Sequence, residues 1–222
     1  MAYQAGGQRS EPRPLPESAE AQAYLRDYAL FLEAVPFPSL VFDHRWDVVV
    51  TNPAFELLFG QVSAHPTAMP GDNFLRFVLF HPDAGTILRE HESTWGLPML
   101  AHFAAALERY GHDHGLQAIR RDIAQDPIME AAYRQGLPHW IRAVGPHALE
   151  HDGAVRPLRH PDPRWGDDCR VVGETPKTLQ DMGYSRLTLV LREARRPAPA
   201  ARARRRVRRT AGHLSVVPVA QE

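Results

Sequence analysis

The chain has 222 residues, 44% of them hydrophobic, with 26 basic and 26 acidic side chains, enough for one packed domain with tails and too apolar for wholesale disorder. No apolar run approaches the roughly 20 residues of a membrane helix, and the N-terminus has no apolar signal core. A lone cysteine, Cys169, cannot form an intramolecular disulfide, so a reducing, cytoplasmic setting is expected.

Residues 1–18, punctuated by Gly6, Gly7, Pro12, Pro14 and Pro16, predict a disordered leader. Ala21, Tyr24, Leu25, Tyr28, Phe31 and Leu32 recur at helical spacing, which predicts a helix over 17–34 with Ser18 as its N-cap and Pro36 and Pro38 as its stop. "SLVFD" and "WDVVV" read as two short strands joined by a tight turn at His44 and Arg45. Alternation would put Trp46, Val48 and Val50 on one face and Asp47, Val49 and Thr51 on the other. Asn52 is placed to cap the next helix, Pro53 to occupy its first position and Gly60 to close it in the left-handed conformation.

A loop over 61–72 leads into the helical run "NFLRFVLF". Residues 83–95 and 97–110 read as helical, with Gly96 and Pro98 interrupting between them, and two more helices follow at about 115–125 and 127–143. The last third changes to β-type runs, "AVRPLRH", "CRVVGETPKTL" and "SRLTLVLREA", separated by "PDPRWGDD" and "QDMGY". This order predicts an α/β (α+β) domain over 19–193, with an N-terminal helix and a large helical insertion between the two halves of the sheet.

The neutral total hides an asymmetry. Residues 1–191 hold 17 basic and 24 acidic side chains, whereas 192–222 hold nine arginines against Glu193 and Glu222. Residues 194–222 are rich in Arg, Ala and Pro and predict a disordered tail. Either it is a solvated extension, or Arg202, Arg204, Arg205, Arg206, Arg208 and Arg209 contact DNA phosphates by charge alone, since no aromatics are interleaved to stack on bases.

Twelve histidines invite a metal reading, with His112 and His114 closest and His91 and His102 earlier, but no recognised ligand spacing accompanies them. The two "HPD" triplets, His81–Asp83 and His160–Asp162, read as turn and helix-start signals. No nucleophile elbow, dinucleotide fingerprint or phosphate loop occurs, so no catalytic residue, metal or cofactor is assigned. Cys169 reads as a small residue in or beside a strand. Arg76 stands out among Phe74, Leu75, Phe77, Val78, Leu79 and Phe80. Its guanidinium needs water or an acceptor, either a core carboxylate or the head group of a bound acid.

The stretch "DHRWDVVVTNPAFELLFG" (Asp43–Gly60) resembles the start of a PAS domain, where a hairpin delivers an Asn into the first helix and a Gly closes it. More specifically, "RWDVVVTNPAFELLFG", "NFLRFVLFHPDA", Trp95, "DPIMEAAYRQGLPHWI" and "VVGE" together resemble the ligand-binding domain of MmyB-like bacterial transcription regulators, over about 22–193. The resemblance implies a PAS-like antiparallel sheet around a lipophilic small-molecule pocket that controls transcription. Members usually carry a helix-turn-helix domain in front. Only some 20 polar residues precede the first helix here, so the DNA-reading half is expected to be absent.

The reading that results is a small-molecule-sensing regulatory domain, not an enzyme, that binds an apolar or fatty-acid-like ligand. Asn52, Phe55, Asn73, Arg76, Phe77, Trp95 and Trp140 are the expected pocket residues, with Arg76 as polar anchor. Its expected protein partner is a DNA-binding protein or a second copy as a homodimer. The alternatives are a non-specific DNA-binding regulator acting through the Arg-rich tail, and a tailoring enzyme on an apolar substrate using the same fold.

Overall fold

In the computed structural model, which describes residues 18–193, the Ser18 hydroxyl accepts the Ala21 N–H at 3.1 Å and starts α1 (Ala19–Glu33). The chain then enters a hairpin, β1 (Ser39–Phe42) and β2 (Val48–Thr51), and turns directly into α2 (Pro53–Phe59). Asn52 caps α2 as its sequence position requires: its side-chain oxygen accepts the Phe55 N–H at 3.0 Å. Gly60 closes α2 in the right-handed region (φ −66°), not the left-handed one. Glycine is needed there because a Cβ would stand 2.8 Å from the Glu56 carbonyl oxygen.

The second strand departs from simple alternation. Val41 faces Val50 and Phe42 faces Val48, so Val49 is bulged out of register. Val48 therefore packs in the main core, while Val49 and Val50 pack on the α1 side. Trp46 is not extended at all; it sits at φ 63°, in the turn before the strand.

The helical insertion comprises α3 (Phe74–Phe80), α4 (Ala84–Ile87), α5 (Leu97–Arg109), α6 (His114–Gln125), α7 (Pro127–Ala131) and α8 (Leu137–Val144). Gly96 and Pro98 do not break the helix as expected. A π-helical turn, Glu92–Gly96, carries the chain into α5, with the Leu97 N–H bonded to Glu92 O. Proline lacks an N–H and its ring clashes with the carbonyl four residues back, and widening the preceding turn relieves both. The same Gly-Leu-Pro signature recurs at Gly136–Pro138, again after a π-turn, Ala132–Gly136.

The sheet is completed by β3 (Val155–Pro157), β4 (Trp165–Val172) and β5 (Ser185–Glu193) in the order β2-β1-β5-β4-β3, every neighbouring pair antiparallel. Two boundaries differ from expectation. β4 begins at Trp165, because a bulge before Cys169 lets Trp165 pair with Glu193. Past Val172, "TPKTL" does not continue the strand but leads into α9 (Lys177–Asp181). The architecture is thus α+β, with a five-stranded antiparallel sheet. One face carries the helical insertion over a large core containing Leu40, Phe55, Phe74, Phe77, Trp95 and Phe103, and a smaller cluster of Leu25, Tyr28, Leu32, Val41, Leu179 and Tyr184 joins α1 and α9 to the sheet. Each large side chain so buried contributes about 1.5–3 kcal/mol. The leader expected over 1–18 (Ser18 excepted) and the tail expected over 194–222, with Arg202, Arg204, Arg205, Arg206, Arg208 and Arg209, lie outside the described residues.

Candidate ligand-binding site

Two concavities merit comparison. The larger, about 740 Å³, is a polar cleft at the sheet end beside Trp165 and His160. Two ion pairs lie at it, Arg192 with Asp168 at 3.4 Å and Asp167 with Arg89 at 3.1 Å, and Arg159 and Glu193 line it as well. The smaller lies between sheet and insertion. Its volume is only about 30 Å³, and its walls are Phe42, Trp46, Phe74, Trp95, Met99, Val171 and Leu187, with His151 and Arg156 as its polar members. That is room for about one water molecule.

Arg156 is the unusual feature. It occupies the middle of β3, opposite Cys169, and is 6% exposed. Alternation along "AVRPL" sends Arg156 and Leu158 inward and leaves Val155 half exposed. No described carboxylate pairs with it. Its Nη2 donates instead to Nδ1 of His151 at 2.6 Å, and its guanidinium lies 5.1 Å from the centre of the Trp95 ring. Burial pulls its pKa down to about 10. An arginine only donates, so Nδ1 of His151 is the acceptor and the proton of that neutral ring is on Nε2.

A second histidine completes the cluster. His102 of α5 stacks on His151 with ring centres 3.6 Å apart, and its Nε2 is buried without a hydrogen-bond partner. Burial first, and Arg156 second, lower His102 to about 4. Burial, then His102 and Arg156, lower His151 to about 2. Cys169 is driven up to about 12 by burial, so its thiol stays neutral. The cavity is thus a carbon-walled space with a cation that no described carboxylate pairs and one neutral imidazole at its polar end, and His102 stacks on that imidazole.

The expected pocket residues scatter around it. Trp95 lines the cavity, held by its indole N–H on the Pro157 carbonyl at 2.9 Å. Phe55 and Phe77 form the buried layer behind Phe74, and Trp140 packs partly buried against the core. Asn73 caps α3 through the Arg76 N–H and donates to Arg45 O and Asp47 Oδ1, both at 2.8 Å. Asn52 is 1% exposed and spends its polar atoms on backbone: Ser39 and Phe55 N–H groups on one side, Leu32, Val35 and Phe37 carbonyls on the other. Arg76 reaches Asp122 of α6 at 2.7 Å. Arg156, His151 and His102 were not expected. The available signal was the inward register of Arg156 beside Leu158.

The hairpin tip ties the cavity to α6. Asp43 Oδ1 accepts the Arg45 and Asp47 N–H groups, and Trp46, between them, lines the cavity. Arg45 lies over Gly115, where a Cβ would come within 2.8 Å of its Cδ, and grips Asp113, which caps α6 through the Leu116 N–H. His44 joins the same carboxylate at 3.2 Å. Both "HPD" triplets form the same small turn, the Asp N–H donating to the His Nδ1 at 3.0 Å. Among the described residues no helix is long and apolar enough to cross a membrane, and no three His, Cys, Asp or Glu side chains are grouped to hold a metal.

No curated protein matches the chain. The family described as MmyB-like transcription regulator ligand binding domain matches residues 26–205.

Proposed function

The chain belongs to the family of MmyB-like transcription regulator ligand-binding domains, and from that membership we propose that this ligand-sensing regulatory domain takes an apolar, fatty-acid-like molecule with one acidic head group. The single observation that carries this is Arg156, a buried cation that no carboxylate among the described residues pairs, in a cavity whose walls are carbon apart from it and His151. An unpaired buried charge is costly, and a ligand anion removes the cost. A PAS-like description is supported by the hairpin that delivers Asn52 into α2, and by the insertion that separates the two halves of the sheet.

The cavity, at about 30 Å³, is too small for an acyl chain. Binding therefore selects an expanded state, a population shift. The movable wall we assign is Trp46, whose left-handed backbone stores about 1–2 kcal/mol. Its displacement reaches α6 through Arg45 and Asp113. Exposed Leu30 and Phe31 on α1 support an output through protein contact with a DNA-binding partner or a second copy. A cytoplasmic setting is consistent with the free thiol of Cys169.

Titration with decanoate and with 1-decanol, read by tryptophan fluorescence and native mass spectrometry, tests the reading. Saturable decanoate binding, tighter than decanol, is expected; binding of neither, or equal binding of both, overturns it. A second reading rests on the nine arginines of residues 192–222: non-specific DNA binding that weakens steeply with salt and disappears when residues 195–209 are deleted.

A further inference from the structure

We propose that the stacked pair His102 and His151 takes up a proton when an anionic ligand binds at Arg156, so that capture strengthens as the solution becomes more acidic. The inference rests on the acid-headed ligand reading above and adds a regulation that reading does not require.

The geometry makes the three groups one electrostatic unit. Arg156 donates to His151 at 2.6 Å, and His151 stacks on His102 at 3.6 Å. The groups that face the pair are few. β3 supplies Arg156, and β4 supplies Cys169, which is neutral. The acids beside His151 in the chain are engaged elsewhere: Glu150 binds His147 at 2.8 Å, and Asp152 accepts the Gly173 N–H at 2.9 Å. Without a ligand, burial and the positive Arg156 keep both rings neutral. An anion on Arg156 cancels that repulsion and adds an attraction of its own, so His102 rises from its depressed value while burial still holds it below 6.5. The proton comes from solvent and enters on His102, the less depressed ring, whose Nε2 has no partner to lose.

The sign follows by linkage. The liganded state binds more protons than the free state between the free-state and liganded values, so affinity rises as pH falls through that window. The limit is about tenfold per pH unit for one full proton.

Calorimetric titration of the protein with decanoate, in phosphate and in Tris buffer between about pH 6 and 8 where this probe stays ionised, measures the proton directly. The expected result is net proton uptake in the wild type, binding about 2–4-fold tighter at the acidic end, and uptake abolished in His102→Gln. Proton resonances of the wild-type histidine rings give a second measure that does not depend on a variant folding. One ring silent above about pH 5 in the free protein should titrate once decanoate is bound. Decanoate binding without proton uptake overturns the proposal, as does uptake undiminished in both His102→Gln and His151→Gln. Failure of decanoate to bind overturns the ligand reading itself, and the coupling with it.

Discussion

The guanidinium of Arg156 lies 5.1 Å from the centre of the Trp95 ring, and the same indole donates its N–H to the carbonyl of Pro157, the next residue in the strand, at 2.9 Å. Trp95 thus holds both the cation and the strand that carries it. A ring face and a neutral imidazole support Arg156 where an ion pair would ordinarily do so, and this keeps its remaining donors available.

Arg156→Met separates stability from binding. The depression of Arg156 from its ordinary 12.5 to about 10 corresponds to a cost on the order of 3 kcal/mol in the folded state. Leaving Nδ1 of His151 buried without its donor offsets about 1–3 kcal/mol of that. The variant is therefore expected to melt at least as high as the wild type and to bind decanoate at least tenfold more weakly, checked by calorimetry and titration. A variant that melts lower and binds decanoate normally would mean that Arg156 is a structural cation.

Asn52→Asp should be among the most damaging single-atom changes in the chain. The Asn52 amide nitrogen faces three carbonyls, of Leu32, Val35 and Phe37, at 3.3, 2.8 and 2.9 Å. A carboxylate oxygen there replaces attraction by repulsion in a buried position, a loss of about 3–5 kcal/mol. Denaturant unfolding at neutral pH would show this. Acidification should recover part of the loss, because the protonated acid regains one donor.

Local signals carried the element plan, and the reasons are visible residue by residue. Ser18, Asn52 and Asn73 cap helices with their own side chains, so a few residues decide each start. The Val49 bulge and the inward register of Arg156 answer to the strands they pair with, and the π-turns before Pro98 and Pro138 answer to a proline read against an already formed helix, so none of them shows in hydrophobic spacing. The site followed the same division. Trp95 could be named from its apolar run, but sequence marks an arginine among phenylalanines more loudly than one in a three-residue strand. Only packing reveals that Arg76 has a carboxylate within reach, whereas none of the described carboxylates pairs with Arg156.

Arg76 supplies the contrast. Its pair with Asp122 is part exposed, 19% and 40% by side chain, and such pairs contribute about 0.2–1 kcal/mol. A double-mutant cycle of Arg76→Ala and Asp122→Ala should return a coupling of that size in thermal unfolding and leave decanoate affinity within about twofold. A tenfold loss of affinity in Arg76→Ala alone would instead make Arg76 the ligand anchor.

Acid sensitivity of the free domain is the last consequence of the histidine cluster. His102 and His151 are held neutral in the folded state, at about 4 and about 2, below the 6.5 of an unfolded histidine. The unfolded chain therefore binds more protons below 6.5. The stability is fully present above that value and is lost as pH falls from 6.5 toward the folded values. By about pH 5 each ring removes about 2 kcal/mol, a large part of a typical total of about 5–15 kcal/mol. Melting temperatures followed from about pH 7.5 to 5 should fall steeply for the wild type and less steeply for His102→Gln. Saturating decanoate should flatten the wild-type profile, because the liganded state accepts the proton that the free state refuses. An equally steep profile in His102→Gln, His151→Gln and the wild type would assign the acid sensitivity to other groups.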